Sequence, residues 1–247
     1  MAMATTSVAL AEDAPAAPAS PHHFTANVGV YSNYVFRGLT QTGENPAVQG
    51  GFDYSHDSGI YVGTWASNIS WFSDLNPGTS VSMEWDGYAG FKKTWAGALT
   101  TDIGYLRYEY LGRYAALPSG ILKPDTDEVY LALGWKWSTL KYSYAVSDLF
   151  GVTDSKGSSY LDLSVAIPIK ALTVSLHAGQ QKYVGASGLN DTLFGYEDYK
   201  AGVSYGFAGG WSAGVTYTHT NAEDAGYTIM GKNIGDDQFI ASISRSM

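Results

Sequence analysis

Hydrophobic and polar side chains alternate along most of this chain with a period of two residues. In the stretch VYLALGWKW, one parity holds the large apolar side chains Val129, Leu131, Leu133, Trp135 and Trp137. Successive side chains of a β-strand point to opposite faces, so this stretch predicts a strand with one apolar face. Either a soluble core or lipid could cover such a face, and one strand alone does not decide between them.

The same alternation recurs in segments of near-constant length. In the eighth segment, for example, Leu161 and Leu163 oppose Asp162 and Ser164. The alternation is weakest in the fifth segment, because Arg107 falls on the apolar parity there. This position of Arg107 indicates a bulge or a rim position. The predicted strands cover residues 24–37, 46–56, 59–68, 80–92, 97–110, 127–137, 139–148, 158–167, 171–181, 197–207, 211–220 and 236–247.

Short and long connections alternate between these segments. The tight ones lie at residues 56–59, 93–97, 138–139, 168–170 and 208–210, and the long ones at 38–45, 69–79, 111–126, 149–157, 182–196 and 221–235. An even number of antiparallel strands with this alternation is typical of an outer-membrane barrel. The predicted fold class is therefore all-β, a transmembrane antiparallel up-and-down β-barrel of twelve strands in a single domain, residues 23–247. The alternative is a β-sandwich, which would carry more charge on its outer faces.

A transmembrane helix is excluded, because the longest uninterrupted apolar run is VYLAL and a spanning helix needs roughly 18 apolar residues or more. Residues 1–22 are predicted to be a signal-peptide remnant and a disordered leader. The triplet Ala9-Leu10-Ala11 has the small-x-small form of a signal-peptide cleavage site and is followed by Glu12. The basic segment that normally opens a signal peptide is missing. The alternative is an Ala-rich disordered terminus.

The composition excludes several function classes. With 14 Lys+Arg against 23 Asp+Glu the formal net charge is −9, which argues against a nucleic-acid-binding surface. The absence of Cys excludes disulfides, thiolate metal sites and a Cys nucleophile. Aromatic residues are abundant, and indole rings favour membrane interfaces. The tight turns place Trp95, Trp135, Trp137 and Trp211 at one predicted membrane interface.

The segment YSNYVFRGLTQTGENPAVQGGFDY, residues 31–54, resembles the signature of TorF-family porins of bacterial outer membranes. The matching residues are Ser32, Asn33, Tyr34, Val35, Phe36, Arg37, Gly38, Gln41, Pro46, Ala47, Gln49, Gly50, Gly51 and Asp53. Shorter similarities lie at residues 59–69, 88–91, 142–151 and 158–169. The resemblance implies an outer-membrane channel of a Gram-negative bacterium. One departure is the last residue, Met247, where such barrels usually end on Phe or Trp that the assembly machinery reads.

Charged strand residues of a membrane barrel face its interior, because a Lys or Arg on the lipid face near the midplane costs roughly 2–4 kcal/mol. The inward parity predicts a pore-lining or lumen network of Asn33, Arg37, Asp53, Glu84, Asp86, Asp102, Glu128, Lys136, Lys141, Asp162, His177 and Lys200. Two interpretations stay open: a polar pathway whose charges select solutes, or ion pairs that fill a narrow barrel. Arg37 is the residue predicted to act as a constriction or an internal clamp.

The predicted external loops are acidic. Their carboxylates are Glu44, Asp74, Asp125, Asp127, Asp154, Asp191, Glu197, Asp198, Glu223, Asp224, Asp236 and Asp237. Such a charge excess would concentrate cations at the mouth of a channel and predicts a mild cation preference. Ca²⁺ binding and plain solvation are the alternatives. No EF-hand spacing occurs, so neither a metal site nor a cofactor is predicted.

The sequence thus predicts a porin-like channel in the bacterial outer membrane for passive diffusion of ions or small polar solutes. Its predicted partners are outer-membrane lipids, these solutes and the outer-membrane assembly machinery, with no nucleic acid. One alternative is a closed structural or adhesive barrel that acts through its external loops. Another is an outer-membrane lipase, for which His219 lies on the outward parity near the external rim. The chain lacks a G-x-S-x-G motif, so no enzyme and no catalytic residue is predicted.

Overall fold

The computed structural model describes residues 20–114 and 122–247, and most of these residues lie in strands. The leader predicted at residues 1–22 falls largely outside the described residues. The strands are β1 His22–Tyr31, β2 Val35–Phe36, β3 Leu39–Thr40, β4 Ala47–His56, β5 Ile60–Asn68, β6 Ser80–Thr94, β7 Leu99–Arg113, β8 Thr126–Trp135, β9 Ser138–Ala145, β10 Ser159–Ile169, β11 Leu172–Lys182, β12 Tyr196–Gly206, β13 Trp211–Thr220, β14 Thr228–Ile229, β15 Lys232–Asn233 and β16 Gln238–Ser246. The helices α1 Trp71–Leu75, α2 Leu189–Phe194 and α3 Asp224–Tyr227 lie in connections, as do the 3₁₀ turns Ala96–Ala98, Ala186–Gly188 and Ala208–Gly210.

Twelve of these strands close into one antiparallel barrel, in the order β1, β16, β13, β12, β11, β10, β9, β8, β7, β6, β5, β4. Pairing of β1 with β16 completes the ring and sets Asn27 opposite Ser246. The short strands β2–β3 and β14–β15 form two hairpins within connections. A closed ring leaves no strand edge unpaired. The predicted all-β fold, a closed antiparallel barrel of twelve strands, is confirmed.

The connections define two ends of the barrel. Residues 57–59, 95–98, 136–137, 170–171 and 207–210 turn at one end, which we call the turn end. The longer connections gather at the opposite end, which we call the external end. Strand β1 starts at the turn end, where His22 lies opposite His56. The alternation of short and long connections is therefore as the sequence predicts.

The two faces of each barrel strand differ in exposure as the period of two requires. In β8, Leu131 is 46% exposed on the outer face, whereas its neighbour Ala132 is 7% exposed on the inner face. Val129, Leu133 and Trp135 are exposed with Leu131. The apolar parity of VYLALGWKW therefore points out of the barrel, and the polar and small parity points into it.

The first strand differs from its prediction. It begins at His22, one residue before the predicted domain boundary, and it ends at Tyr31 rather than at residue 37. Residues 32–46 leave the barrel wall, and Arg37 has a φ of 45°. That left-handed conformation is incompatible with a strand. Asn33 and Arg37, which the pattern placed on a strand, thus lie in the first external connection.

The irregularity expected in the fifth segment lies on the neighbouring strand. Strand β6 bulges between Val81 and Met83, where it pairs with the external end of β7. The bulge turns Val81 inwards, so that it is fully buried, and leaves Met83 40% exposed. Arg107 remains on the outer face, and its guanidinium lies 3.2 Å from Asp127 near the external end of β8. The rim position predicted for Arg107 is the correct alternative.

Apolar packing is concentrated at the external end. One cluster joins Tyr34 of the first connection to Phe72 of α1, Val81, Tyr108 and Tyr110. Smaller clusters surround Leu149 with Tyr183, and Tyr196 with Tyr227. The external connections therefore pack inwards on the barrel. None of the helices in the described residues has the length and apolarity needed to cross a membrane.

Candidate functional site

The first external connection enters the barrel as a hairpin. Strands β2 and β3 pair through Phe36 and Leu39, and Arg37 and Gly38 form the tip. Gly38 has a φ of 80°, and a Cβ there would lie 2.7 Å from the Cβ of Asp198 on β12. Glycine therefore serves both the backbone turn and the close approach to the opposite wall. The tip reaches the inner surface of the barrel.

Arg37 at the tip joins several strands of the wall. Its guanidinium donates to the Oε1 and Oε2 atoms of Glu128 on β8 at 2.9 and 2.8 Å, and to Oε1 of Gln181 on β11 at 3.0 Å. It also lies 4.3 Å from the ring centroid of Tyr160 on β10. Arg37 is 7% exposed and Glu128 is 2% exposed. The charge is thus held by a carboxylate that accepts through both oxygens from Nη2, by an amide oxygen that accepts from Nη1, and by an aromatic face.

A second carboxylate pair lies on β6. Glu84 and Asp86 both point inwards and are 1% and 8% exposed. The hydroxyl of Tyr34, from the first connection, donates to Oε1 of Glu84 at 2.8 Å. Among the described residues, Oε2 of Glu84 and Oδ1 of Asp86 are buried and accept no hydrogen bond.

A third group surrounds His177 on β11. Its Nε2 lies 2.9 Å from Oδ1 of Asp198, and its Nδ1 lies 3.3 Å from Oδ2 of Asp162. The hydroxyl of Tyr160 donates to the other oxygen of Asp198 at 2.6 Å. Asp198 is fully buried, so the prediction that it belongs to the external loops is wrong. Its parity on β12, next to exposed Tyr199, places it inside. We call Arg37, Glu84, Asp86, Glu128, His177 and Asp198 together the charged layer.

Cavities lie on both sides of the charged layer. The cavity towards the turn end has a volume of about 830 Å³ and is lined by Asp53, Tyr61, Tyr88, Asp102 and Tyr130 among others. The cavity at the external end has a volume of about 700 Å³ and a largely aromatic and aliphatic lining. Along β7, Tyr108 lies between Asp102 of the first lining and Tyr110 of the second. The interior is therefore more polar on the turn-end side of the charged layer and largely apolar on its external side.

Tyrosine hydroxyls donate to the predicted carboxylates that line the cavity towards the turn end. Tyr88 donates to Oδ1 of Asp53 at 2.6 Å, and Tyr61 donates to Oδ1 of Asp102 at 2.7 Å. The ammonium of Lys141 lies 4.0 Å from the ring centroid of Tyr130. The sequence-predicted residues Asp53, Asp102 and Lys141 are thus brought to the inner wall.

The remaining predicted lumen residues have different surroundings. Lys200 takes an inward position on β12 opposite His177. Asn33 is buried, but its Oδ1 accepts hydrogen bonds from Thr40 at 2.6 Å and Thr42 at 3.0 Å, which fold the first connection. Lys136 does not lie on a strand. It sits exposed in the turn after β8, with its ammonium 4.5 Å from the ring centroid of Trp135. Its lumen placement is wrong because β8 ends one residue earlier.

The four predicted interface tryptophans all lie at the turn end and point outwards. Trp95, Trp135, Trp137 and Trp211 are between 46% and 55% exposed. Cations accompany three of these rings: Lys93 lies over Trp95 at 4.3 Å, Lys136 over Trp135, and Arg245 over Trp211 at 5.5 Å. An indole with a neighbouring cation suits the boundary between hydrocarbon and headgroups.

His219, the residue on which a lipase alternative depends, lies on the outer face at the external end. Its Nδ1 is 2.6 Å from Oδ1 of Asp237. In the part of the chain that the structure describes, no serine hydroxyl is hydrogen-bonded to His219. A hydrolytic triad needs a nucleophile within hydrogen-bond reach of its base, and this pair lacks one.

Several members of the site escaped the sequence prediction. Tyr34, Tyr108, Tyr160, Gln181 and Asp198 contact the predicted charges but were not selected. For the four that lie on barrel strands, inward parity was the available signal, together with glycines on neighbouring strands; Tyr34 lies in the first connection, where strand parity gives no signal. Gly179 faces Tyr160 so closely that a Cβ would overlap the ring hydroxyl.

Residues 15–247 match the model of a family described as a bacterial protein of unknown function, Gcw_chp. The chain belongs to the Gcw_chp family. Its name differs from that of the TorF-family porins, so the resemblance to the latter remains a prediction. A comparison with curated protein sequences finds no significant match for this Gcw_chp chain.

Solved porin structures resemble the Gcw_chp barrel. The KdgM porin gives a TM-score of 0.54 at 8% identity, over 90% of this chain and 97% of that chain. The KdgM porin in complex with disordered oligogalacturonate gives a TM-score of 0.54 at 9% identity, over 91% of this chain and 99% of that chain. At such low identity the similarity concerns the fold. This Gcw_chp protein therefore has the β-barrel architecture of a porin.

Proposed function

We propose that this protein is a porin-like channel of the bacterial outer membrane, through which ions or small polar solutes diffuse passively. The observation that carries the proposal is the charged interior of a closed barrel whose outer face is apolar. Burying so many ionisable groups inside a barrel wall is costly unless they serve a polar pathway or compensate one another. The cavities on both sides of the charged layer favour the pathway.

We further propose that the channel prefers cations mildly. The inward-facing acids outnumber the inward-facing bases. The acids are Asp53, Glu84, Asp86, Asp102, Glu128, Asp162 and Asp198, and the bases are Arg37, Lys92, Lys141 and Lys200 beside His177. A surplus of negative charge in a confined passage raises the local cation concentration.

Single-channel recording of the refolded protein in a planar bilayer tests both parts. Under a salt gradient we expect discrete current steps with a reversal potential that favours cations. A reversal potential that favours anions would contradict the cation preference but not the proposed channel. A folded, heat-modifiable protein that gives no steps would contradict the channel itself.

A closed structural barrel is the second candidate, and one observation favours it. The members of the charged layer are almost completely buried, and Arg37 ties the hairpin tip to the wall. In that case the external connections would carry the function, as adhesive or structural surfaces. Absent conductance together with binding of the connections to a surface would support this candidate.

The proposal assigns no catalytic role to any residue. It places outer-membrane lipids against the exposed apolar face, with the turn-end tryptophans at the interface. The outer-membrane assembly machinery is the remaining expected partner, because an apolar barrel surface has to be inserted from an aqueous compartment.

A further inference from the structure

The cavity of about 700 Å³ at the external end, which we call the external cavity, has an apolar inner surface. The described lining residues that are only partly exposed are all apolar or glycine, and four of them are the aromatic residues Phe36, Trp71, Phe150 and Phe194. Leu75, which also lines the cavity, is 52% exposed, so the lining continues to the protein surface. Apolar walls of this extent are costly to leave against water.

The polar side chains of the lining already have hydrogen-bond partners. The amides of Gln41, Asn76 and Asn190 donate to backbone carbonyls at 2.9 to 3.0 Å, and the side-chain oxygen of Gln181 accepts from Arg37. All four lining residues are also buried. A ligand whose own polar groups needed partners would therefore find few of them here, and its desolvation would go uncompensated.

The charges around the external cavity disfavour an anion. Among the described lining residues, Asp154 is the only acid, and none is a lysine, arginine or histidine. The nearest guanidinium is that of Arg37, 5.7 Å from the ring centroid of Phe150, but it is buried and already bonded to Glu128. An anion in the cavity would thus lose its hydration without gaining a free cation.

The rings of the lining are arranged as aromatic side chains prefer to pack. Phe36 and Phe150 meet edge to face, with centroids 5.8 Å apart and planes at 85°. Trp71 meets Tyr110 in the same manner, at 5.7 Å and 88°. Ring pairs attract each other beyond the effect of the area that they bury. The lining therefore favours an aromatic molecule over an aliphatic one of equal size.

We propose that the external cavity binds an uncharged aromatic molecule. Its volume lies within the roughly 300–1,000 Å³ of small-molecule sites, which also have mostly apolar walls. Transfer of an aromatic molecule from water into the cavity buries apolar surface on both sides. The inference goes beyond the proposed function, because such a ligand is not one of the polar solutes, and its binding does not depend on conduction.

Isothermal titration calorimetry on the refolded protein in detergent tests the site, with a titration into detergent alone subtracted. Three probes share one carbon skeleton: 2-naphthol is an uncharged aromatic molecule, naphthalene-2-sulfonate is its anionic counterpart, and decahydro-2-naphthol is its saturated counterpart. We expect saturable binding of 2-naphthol and none of the sulfonate. Decahydro-2-naphthol should bind more weakly by roughly 2–12-fold, the factor that an aromatic pair supplies.

Each probe can overturn the proposal. Absence of saturable 2-naphthol binding contradicts the site. Equal affinity for naphthalene-2-sulfonate contradicts an uncharged ligand, and equal affinity for decahydro-2-naphthol contradicts an aromatic one. These comparisons need only the wild-type protein, so they do not depend on the folding of any variant.

Two variants locate the bound probe. Leu75→Gln/Ile229→Gln places two amides on the lining, whereas Leu189→Gln changes an exposed leucine of α2 that does not line the cavity. The double variant should bind 2-naphthol more weakly by about tenfold or more, because apolar contact area is lost. Leu189→Gln should bind it as the wild type does. Unchanged binding in a double variant whose heat-modifiable migration shows a folded barrel places the probe elsewhere and overturns the proposal.

Bilayer recording reports on the channel separately. Saturable 2-naphthol binding by a protein that gives no current steps supports the site and contradicts the channel. Current steps from a protein that does not bind 2-naphthol support the channel and contradict the site.

Discussion

Arg37 and Glu128 meet across the barrel interior although 91 positions separate them in the chain. The guanidinium donates to both carboxylate oxygens, and each side chain is less than a tenth exposed. The pair ties the tip of the first external connection to β8. Because Nη2 is held by Glu128 and Nη1 by Gln181 on β11, the guanidinium fixes the hairpin tip inside the barrel.

The double variant Arg37→Met/Glu128→Gln should increase single-channel conductance. It removes both charges of the pair, so the tip loses its tie to β8 without leaving a buried ion. Arg37→Met alone leaves Glu128 uncompensated, and we expect that variant to lose about 3–5 kcal/mol of unfolding free energy. Bilayer recording and denaturant unfolding in detergent measure the two effects.

An exposed pair of the same type provides the control. Arg107 and Asp127 pair on the outer face of β7 and β8 at 3.2 Å, with side chains 37% and 23% exposed. Arg107→Met/Asp127→Asn should leave conductance unchanged and cost at most about 1 kcal/mol. If the Arg37 double variant conducts no better than the wild type, the hairpin tip does not limit the passage.

Gly179→Ala should destabilise the barrel, because a Cβ at this position overlaps the hydroxyl of Tyr160 and approaches Asp198. Forcing Tyr160 away also disturbs its contact with Arg37. Overpacking of this kind costs about 1–3 kcal/mol. Gly206→Ala, whose Cβ would meet no atom closer than 3.7 Å, is the matched control and should change stability by less than about 0.5 kcal/mol. Equal denaturation midpoints for the two variants would show that Tyr160 can move freely.

The barrel was predictable because its signal is local and repeated. The period of two assigns each strand residue to a face, and the turns determine at which residue the next strand begins. Leu131 and Ala132 illustrate this, since adjacent positions differ sharply in exposure. Lys136 and Val81 show where this signal fails. Strand β8 ends one residue before Lys136, and a bulge in β6 follows Val81. Each changes the direction of a side chain without changing the hydrophobic pattern.

The charged layer was only partly predictable because it depends on contacts that are distant in the chain. The periodicity of β6 places Glu84 and Asp86 inside the barrel. No local signal shows that residues 32–46 fold inwards, or that Arg37 reaches Gln181, 144 positions away. Asp198 sits at the start of a strand, where a loop and a wall residue look alike in sequence.

Leu131→Arg should prevent or weaken folding in a bilayer far more than Trp137→Arg. Leu131 lies in the middle of the outer face of β8, where an arginine would meet hydrocarbon at a cost of about 2–4 kcal/mol. Trp137 lies in the turn, where the same charge costs about 0–1 kcal/mol. Unfolding free energies of both variants in lipid vesicles measure the difference. Equal costs at the two positions would mean that the outer face does not contact a membrane interior.

The docking of the first connection on the last should weaken in acid. The ammonium of Lys232 lies 2.5 Å from Oε1 of Glu44, and Gln238 donates to the same oxygen at 2.9 Å. The hydrogen bond from Lys232, followed by that from Gln238, lowers the pKa of Glu44. A lowered pKa in the folded state stabilises the contact above the ordinary pKa of glutamate, and this stabilisation is lost as the pH falls through the lowered value. Both side chains are partly exposed, so the effect is at most about 1 kcal/mol.

Hydrogen-exchange protection of residues 221–237, corrected for the intrinsic pH dependence of exchange, measures this contact. Protection should fall in the wild type as Glu44 becomes protonated. Glu44→Gln should show the low protection at every pH, because its amide cannot form the ion pair with Lys232. Glu223→Gln removes a carboxylate from the same connection without altering that pair, and it should keep the wild-type pH dependence. A wild-type profile in Glu44→Gln would assign the acid sensitivity to another group.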